Sequence, residues 1–131
     1  SSLARRLPAD HAELSDVRVE VSSWLENTLG RDDRSAAIAD IAVVFTELVA
    51  NAIDHTECGH VDVVVRAEAS RVSIEVANDG SAALVPPVSR WGVLAEGDRG
   101  RGLRLVRALC DEIELVDDPE RTIVRCCYRV S

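Results

Sequence analysis

Asp40-Ile-Ala-Val-Val-Phe-Thr-Glu-Leu-Val-Ala-Asn-Ala-Ile-Asp-His55 decides how this chain folds. Ile38, Ile41, Phe45, Leu48 and Ala52 recur at the three-and-four spacing of one helix face. Val43, Ala50 and Ile53 fall on the other side, where a surface helix carries charge. A helix this apolar must be covered on both sides. Its only polar break is a stripe of Asp40, Glu47, Asn51 and Asp54, which a turn of about 100° per residue brings into line. A carboxylate and an amide one turn apart on a covered face need partners, because unpaired buried polar groups are costly. A bound ligand or metal ion supplies them in one reading and solvent in the other. Taken alone, the stripe is evenly balanced between the two.

On the amino-terminal side, Ser35 is placed to cap this helix, which runs to about Thr56. Ser15 or Asp16 caps an earlier helix with Val17, Val21, Trp24, Leu25 and Leu29 on its core face, and Gly30 ends it. Ser1 to Asp10 reads as an edge strand turning at Pro8. On the carboxyl-terminal side, Cys58-Gly59 makes a turn, and Val61–Ala67 and Val72–Val76 alternate as an antiparallel hairpin. Asn78-Asp79-Gly80 ends the second strand. Residues 81–99 show no period and contain Pro86, Pro87, Gly92 and Gly97, the pattern of a lid or binding loop. Gly100-Arg101-Gly102 then opens a helix over Leu103–Asp111. A second hairpin follows, Ile113–Val116 and Thr122–Val130. Helices gathered on one face of a mixed, mostly antiparallel sheet make an α+β two-layer sandwich, here a single domain over 1–131.

The totals narrow the function. With 131 residues there is room for one core, and with few aromatics Val, Leu, Ile and Ala must fill it. A net charge of −8 and the lack of a basic patch argue against a nucleic-acid partner. No apolar run is read as bilayer-spanning and no signal pattern is seen, so a soluble, cytoplasmic protein is expected. All basic residues are arginine, which excludes a Walker A lysine and Schiff-base chemistry. Methionine is absent even at position 1, from which we expect a piece of a longer parent. Cys58, Cys110, Cys126 and Cys127 form no CxxC and read as reduced small hydrophobes. His55, Cys58 and His60 are close in sequence, but three ligands at loose spacing make a weak zinc signature.

Two further constellations bear on chemistry. Gly97-Asp98-Arg99-Gly100-Arg101-Gly102-Leu103 places glycines at a helix start, where the backbone can approach a phosphate and free amides favour an anion. Arg99, Arg101 and Arg104 add positive charge. A bare GxG that follows no strand is not a dinucleotide fingerprint. Asn78-Asp79-Gly80 stands just before the lid, and by itself it reads as a turn.

In this order the three motifs resemble the N, G1 and G2 boxes of GHKL, or Bergerat-fold, ATPases. Phe-Thr-Glu-Leu-Val-Ala-Asn-Ala-Ile-Asp-His (45–55) and Gly-Arg-Gly-Leu-Arg-Leu-Val-Arg-Ala-Leu-Cys-Asp-Glu-Ile (100–113) look most like the anti-sigma-factor serine kinases of that superfamily. The resemblance covers most of the chain. It implies ATP and Mg²⁺ as cofactors, with Glu47 as general base or orienting group and Asn51 as the Mg²⁺ ligand. Asp54, His55, Asp79, Gly80, Arg99, Arg101 and Leu103 fall within the boxes and are carried over as nucleotide-binding positions. Gly100 and Gly102 match phosphate-facing glycines, and Thr122 lies where the family places a hydroxyl near adenine. Two positions depart from the pattern. Asn78 stands at the adenine-reading aspartate, keeping an acceptor oxygen but losing the charge, and Ala82 replaces a lid glycine.

The implied function is an ATP-dependent serine/threonine protein kinase. Its partners would be an anti-anti-sigma (STAS-like) protein and a sigma factor, and a homodimer is compatible with it. Two other readings are the catalytic domain of a two-component histidine kinase and a binding module without nucleotide, the latter motivated by Asn78 and Ala82. Only His11 precedes the ATPase region, so the histidine-kinase reading requires an acceptor helix that is not seen here.

Overall fold

A computed structural model describes residues 1–30, 34–80, 85, 88–93 and 97–130, with backbone alone at 92–93, 97–101 and 117. Period-two runs of β-branched residues build five strands: β1 (Ser2–Pro8), β2 (His60–Ala67), β3 (Arg71–Asp79), β4 (Glu112–Asp117) and β5 (Arg121–Arg129). They form one sheet in the order β1-β2-β3-β5-β4. Among the described residues every pairing is antiparallel, the limiting case of the mostly antiparallel sheet expected. Two of these pairs, β2–β3 and β4–β5, are hairpins, which need only short turns. The helices α1 (Leu14–Leu29), α2 (Ser35–His55) and α3 (Gly97–Leu109) form the second layer. The result is the α+β two-layer sandwich.

The strands sort their residues by face. Val61, Val63 and Val65 of β2 and Val72, Ile74 and Val76 of β3 are buried toward the helices. Asp62, Glu75 and Arg125 turn outward and meet in ion pairs there or with neighbouring strands. Such exposed pairs add little to stability.

All five residues of the predicted α2 face are buried, and Ala42, Val44 and Val49 are buried with them. These three widen the same face, while Val43, Ala50 and Ile53 on the other side are only half-buried, so the cover there is partial. Val21 and Leu25 of α1 supply one cover, and Leu103 and Val106 of α3 another. By length and composition α2 could cross a bilayer, which corrects the expectation that no such run exists. In this fold its apolar residues are instead the protein core.

Several element ends differ from the sequence reading. Helix α1 begins at Leu14, so Ser15 and Asp16 lie inside its first turn. Asp10 takes the capping role upstream: its carboxylate accepts from the Ala12 amide at 2.9 Å and starts a 3-10 turn over His11–Glu13. Ser35 is the first residue of α2 rather than its cap, and Arg34 precedes it with no side-chain capping bond. Strand β3 continues to Asp79, because Asn78 and Asp79 pair with Thr122 and Arg121 of β5 instead of turning. Within the proposed lid, 81–84, 86–87 and 94–96, including Ala82 and Pro86, lie outside the described residues. The rest is not irregular throughout: Val88–Val93 is a 3-10 helix, and Val85 and Trp91 are buried in the core.

The carboxyl-terminal strand is tied to α2 by one polar contact. The Tyr128 hydroxyl donates to Asp40 Oδ2 at 2.8 Å, so Asp40 leaves the polar stripe for a structural role. Burial, then this bond, pushes the Tyr128 hydroxyl up from 10.0 to about 12. Over that interval the folded chain keeps a proton that the unfolded chain has released. Stability contributed by Tyr128 is therefore full below pH 10 and is lost as pH rises toward 12. Tyr128 is the only tyrosine, so a spectrophotometric phenolate titration reads it alone. A midpoint well above the ordinary tyrosine value is expected, and an ordinary one would contradict both the burial of Tyr128 and its bond to Asp40.

All four cysteines are free thiols. The Cys126 thiol is pushed far up by its hydrogen bond with Cys110 and by burial, which makes it unreactive.

Candidate functional site

The remaining polar stripe of α2 opens onto a cavity of about 350 Å³. Glu47, Asn51 and Asp54 line it from α2, Gly102 and Leu103 from α3, and His11 from the turn before α1. Ala50 and Leu103 give it an apolar wall. Helical spacing alone aligns the three polar side chains, and the packing of α3 against α2 brings Gly102 to them.

The contact between Gly102 and Glu47 is the tightest feature of the site. Gly102 is buried, and a Cβ built on it would fall inside the Glu47 carboxylate, 3.2 Å from Cδ. Any other residue at 102 displaces the Glu47 carboxylate, which is the far end of a flexible side chain, so glycine here bears on where that carboxylate sits and not on a turn. Glu47 and Asn51 are half-buried, neither sealed in the core nor free in solvent.

His11 was missed by the sequence reading. Its Nε2 lies 2.9 Å from Asp54 Oδ1, closing one end of the cavity. No spacing rule links residues so far apart in sequence; the only local signal is the Asp10 cap that fixes the turn carrying His11.

A second group lies past the last turn of α2. Asn78 is 3% exposed and faces the helices, and its Nδ2 donates to the Asp79 carbonyl at 3.2 Å. Thr122, paired with Asn78 across β3 and β5, is 2% exposed and donates to the Gly80 carbonyl at 2.8 Å. Gly80 has φ 138°, a conformation that side-chain-bearing residues rarely adopt, and a Cβ there would lie 3.0 Å from the His55 carbonyl. The backbone of His55 thus packs against Gly80. His55 itself does not line the cavity. Asp79 points to the opposite side of the sheet from Asn78, as alternation demands, so it does not share the inner face with Thr122.

The amino end of α3 corrects one expectation. The helix starts at Gly97, not at Leu103. Only the first four amides of a helix are free, so the anion-favouring groups lie near 97–100, and the Gly102 amide lies beyond them. The side chains of Arg99 and Arg101 lie outside the described residues.

The site therefore has two parts along α2. One is an acidic cavity that joins Glu47, Asn51 and Gly102, with hard oxygen donors suited to a divalent cation such as Mg²⁺. The other is a buried hydroxyl–amide pair at Asn78 and Thr122.

Comparison with known proteins gives the same architecture. A family model described as the histidine kinase-like ATPase domain matches residues 7–128. No curated protein sequence matches significantly. Among solved structures, the RsbU and RsbW domains of a Mycobacterium tuberculosis protein align with TM-score 0.71 at 21% identity, over 99% of this chain and 32% of that one. The SiaB–SiaC complex from Pseudomonas aeruginosa gives 0.70 at 14% identity, over 95% of this chain and 88% of that one. The Acinetobacter baumannii histidine kinase AdeS gives 0.58 at 10% identity, over 98% and 68%. At these identities the likeness concerns the fold, and the chain spans about a third of the length of the Mycobacterium protein chain. With the sequence match running through nearly every element of the sandwich, the chain belongs to the family of histidine kinase-like ATPase domains.

Proposed function

We propose that this chain is an ATP-dependent protein kinase of the anti-sigma-factor type. It would phosphorylate a serine or threonine of a STAS-like anti-anti-sigma partner and hold a sigma factor in alternation with it. The observation that carries this reading is the single cavity shared by Glu47, Asn51 and Gly102. The likeness in fold to structures titled for RsbW domains and a SiaB–SiaC complex supports the choice of partner.

Asn51 would hold Mg²⁺ through its amide oxygen, since Mg²⁺ takes few protein ligands and keeps waters and phosphate oxygens. Two carboxylates in the cavity repel a bare triphosphate, so the cation has to accompany it. Bound Mg²⁺–ATP supplies the transferable phosphoryl group. Glu47 would receive the proton of the acceptor hydroxyl, and the missing Cβ at Gly102 leaves the carboxylate its room. Asn78 and Thr122 would meet the base with neutral hydrogen bonds, weaker than a charged aspartate contact.

Labelled ATP tests the reading. Phosphate transferred to a STAS-fold protein should be acid-stable and located on serine or threonine. Acid-labile phosphate on histidine would assign the chain to the histidine-kinase branch instead.

A further inference from the structure

On the outer face of the sheet, Cys58 Sγ, an imidazole nitrogen of His60 and a carboxylate oxygen of Asp79 all lie within 4.8 Å of one another. The two ring nitrogens of His60 are 3.6 and 3.8 Å from Cys58 Sγ. The backbone sets this meeting. One step beyond the Val61–Asn78 pair, His60 and Asp79 stand opposite each other across β2 and β3. The loop carrying Cys58 is fixed as well. The Glu57 amide donates to the Asp79 carbonyl at 2.7 Å. The Thr56 hydroxyl donates to the His60 carbonyl at 3.1 Å and accepts from the Cys58 amide at 3.4 Å. His55, which the sequence grouped with Cys58 and His60, is not part of this cluster. Asp79, distant in sequence, replaces it.

We propose that Cys58, His60 and Asp79 form a binding site for a zinc-class divalent cation, with water as the fourth ligand. A thiolate, an imidazole and a carboxylate are all zinc donors, at about 2.0–2.3 Å from the metal. Tetrahedral bonds of that length place donors roughly 3.3–3.8 Å apart, so the three side chains need only small rotations to close on an ion. The charges also balance: one thiolate and one carboxylate neutralise a divalent cation. The nearest guanidiniums are bonded to Asp62, although Arg6 also feels the charges of Cys58 and Asp79. Arg6 and Arg121 both donate to Asp62, at 2.9 and 2.8 Å. The bond from Arg6, with Arg121 adding to it, holds the Asp62 carboxyl below its usual range. Binding would pin the loop after α2 to the end of β3.

The test is titration of the full chain with Co²⁺, followed by displacement with Zn²⁺. One equivalent should bind and give thiolate-to-cobalt charge-transfer absorption that Zn²⁺ removes. Cys58→Ser should abolish the band. His60→Ala and Asp79→Asn should each weaken binding by about tenfold or more. Cys127→Ser, which alters the other half-buried thiol, should leave it unchanged. Zinc should raise the thermal midpoint of the unaltered chain and not that of His60→Ala. Absence of the band, a band that survives Cys58→Ser, or one lost in Cys127→Ser would overturn the site. Circular dichroism confirms that each variant is folded. If Cys58→Ser fails to fold, the His60 and Asp79 variants decide the matter by their affinities.

Discussion

If Glu47 is the general base of the proposed kinase, Glu47→Gln should lower phosphoryl transfer by about 10²–10⁴-fold, the range for loss of a positioned general base, while Mg²⁺–ATP binding should stay within a few fold. The substitution is nearly isosteric, so the carboxamide fits against Gly102 where the carboxylate lay. Asn51 and the cavity wall are untouched. On the proposed mechanism, what disappears is the ability to take a proton from the acceptor hydroxyl. Single-turnover transfer from labelled ATP, alongside calorimetric binding, separates the two effects. Equal loss of binding and transfer would make Glu47 a binding residue. Undiminished transfer would remove it from the chemistry.

Phe45→Ala has the largest effect expected on the fold. Phe45 is the only phenylalanine and is 0% exposed at the centre of α2. Truncating a buried Phe costs about 3–5 kcal/mol, through lost transfer energy and the cavity left behind. A domain of this size is stable by about 5–15 kcal/mol in all. The variant therefore loses from about a fifth to all of its stability. Urea denaturation measures this directly. A cost under about 1 kcal/mol would mean that α2 is not packed as described.

The parts of this molecule that follow a period were legible in its sequence. The apolar face of α2, from Ile38 to Ala52, announces a covered helix, and the alternation of β2, β3 and β5 announces a half-buried sheet. Glu47, Asn51 and Asp54 were legible for the same reason, since one helix aligns them. The pocket wall contributed by Gly102 rested on a resemblance, because nothing local says which helix packs on which. Contacts made by topology were not legible. His11 reaches Asp54, and Asp79 reaches Cys58 and His60, only because separate elements converge. Asn-Asp-Gly favours a turn by local chemistry, yet pairing with β5 keeps Asn78 and Asp79 in a strand. The start of α3 was misplaced because glycines at 97, 100 and 102 hide a helix from propensity. Trp91 has no periodic neighbours, and its place in the core comes from tertiary packing alone.

Mg²⁺–ATP is proposed to occupy the cavity between α2 and α3, and amide chemical shifts test this residue by residue. On titration with Mg²⁺–ATP, Glu47, Asn51, Gly102 and Leu103 should shift together. The separate hollow formed by Ser70, Arg71, Glu112 and Cys127 should stay unchanged. No shift at millimolar nucleotide, or shifts confined to that second hollow, would contradict the account.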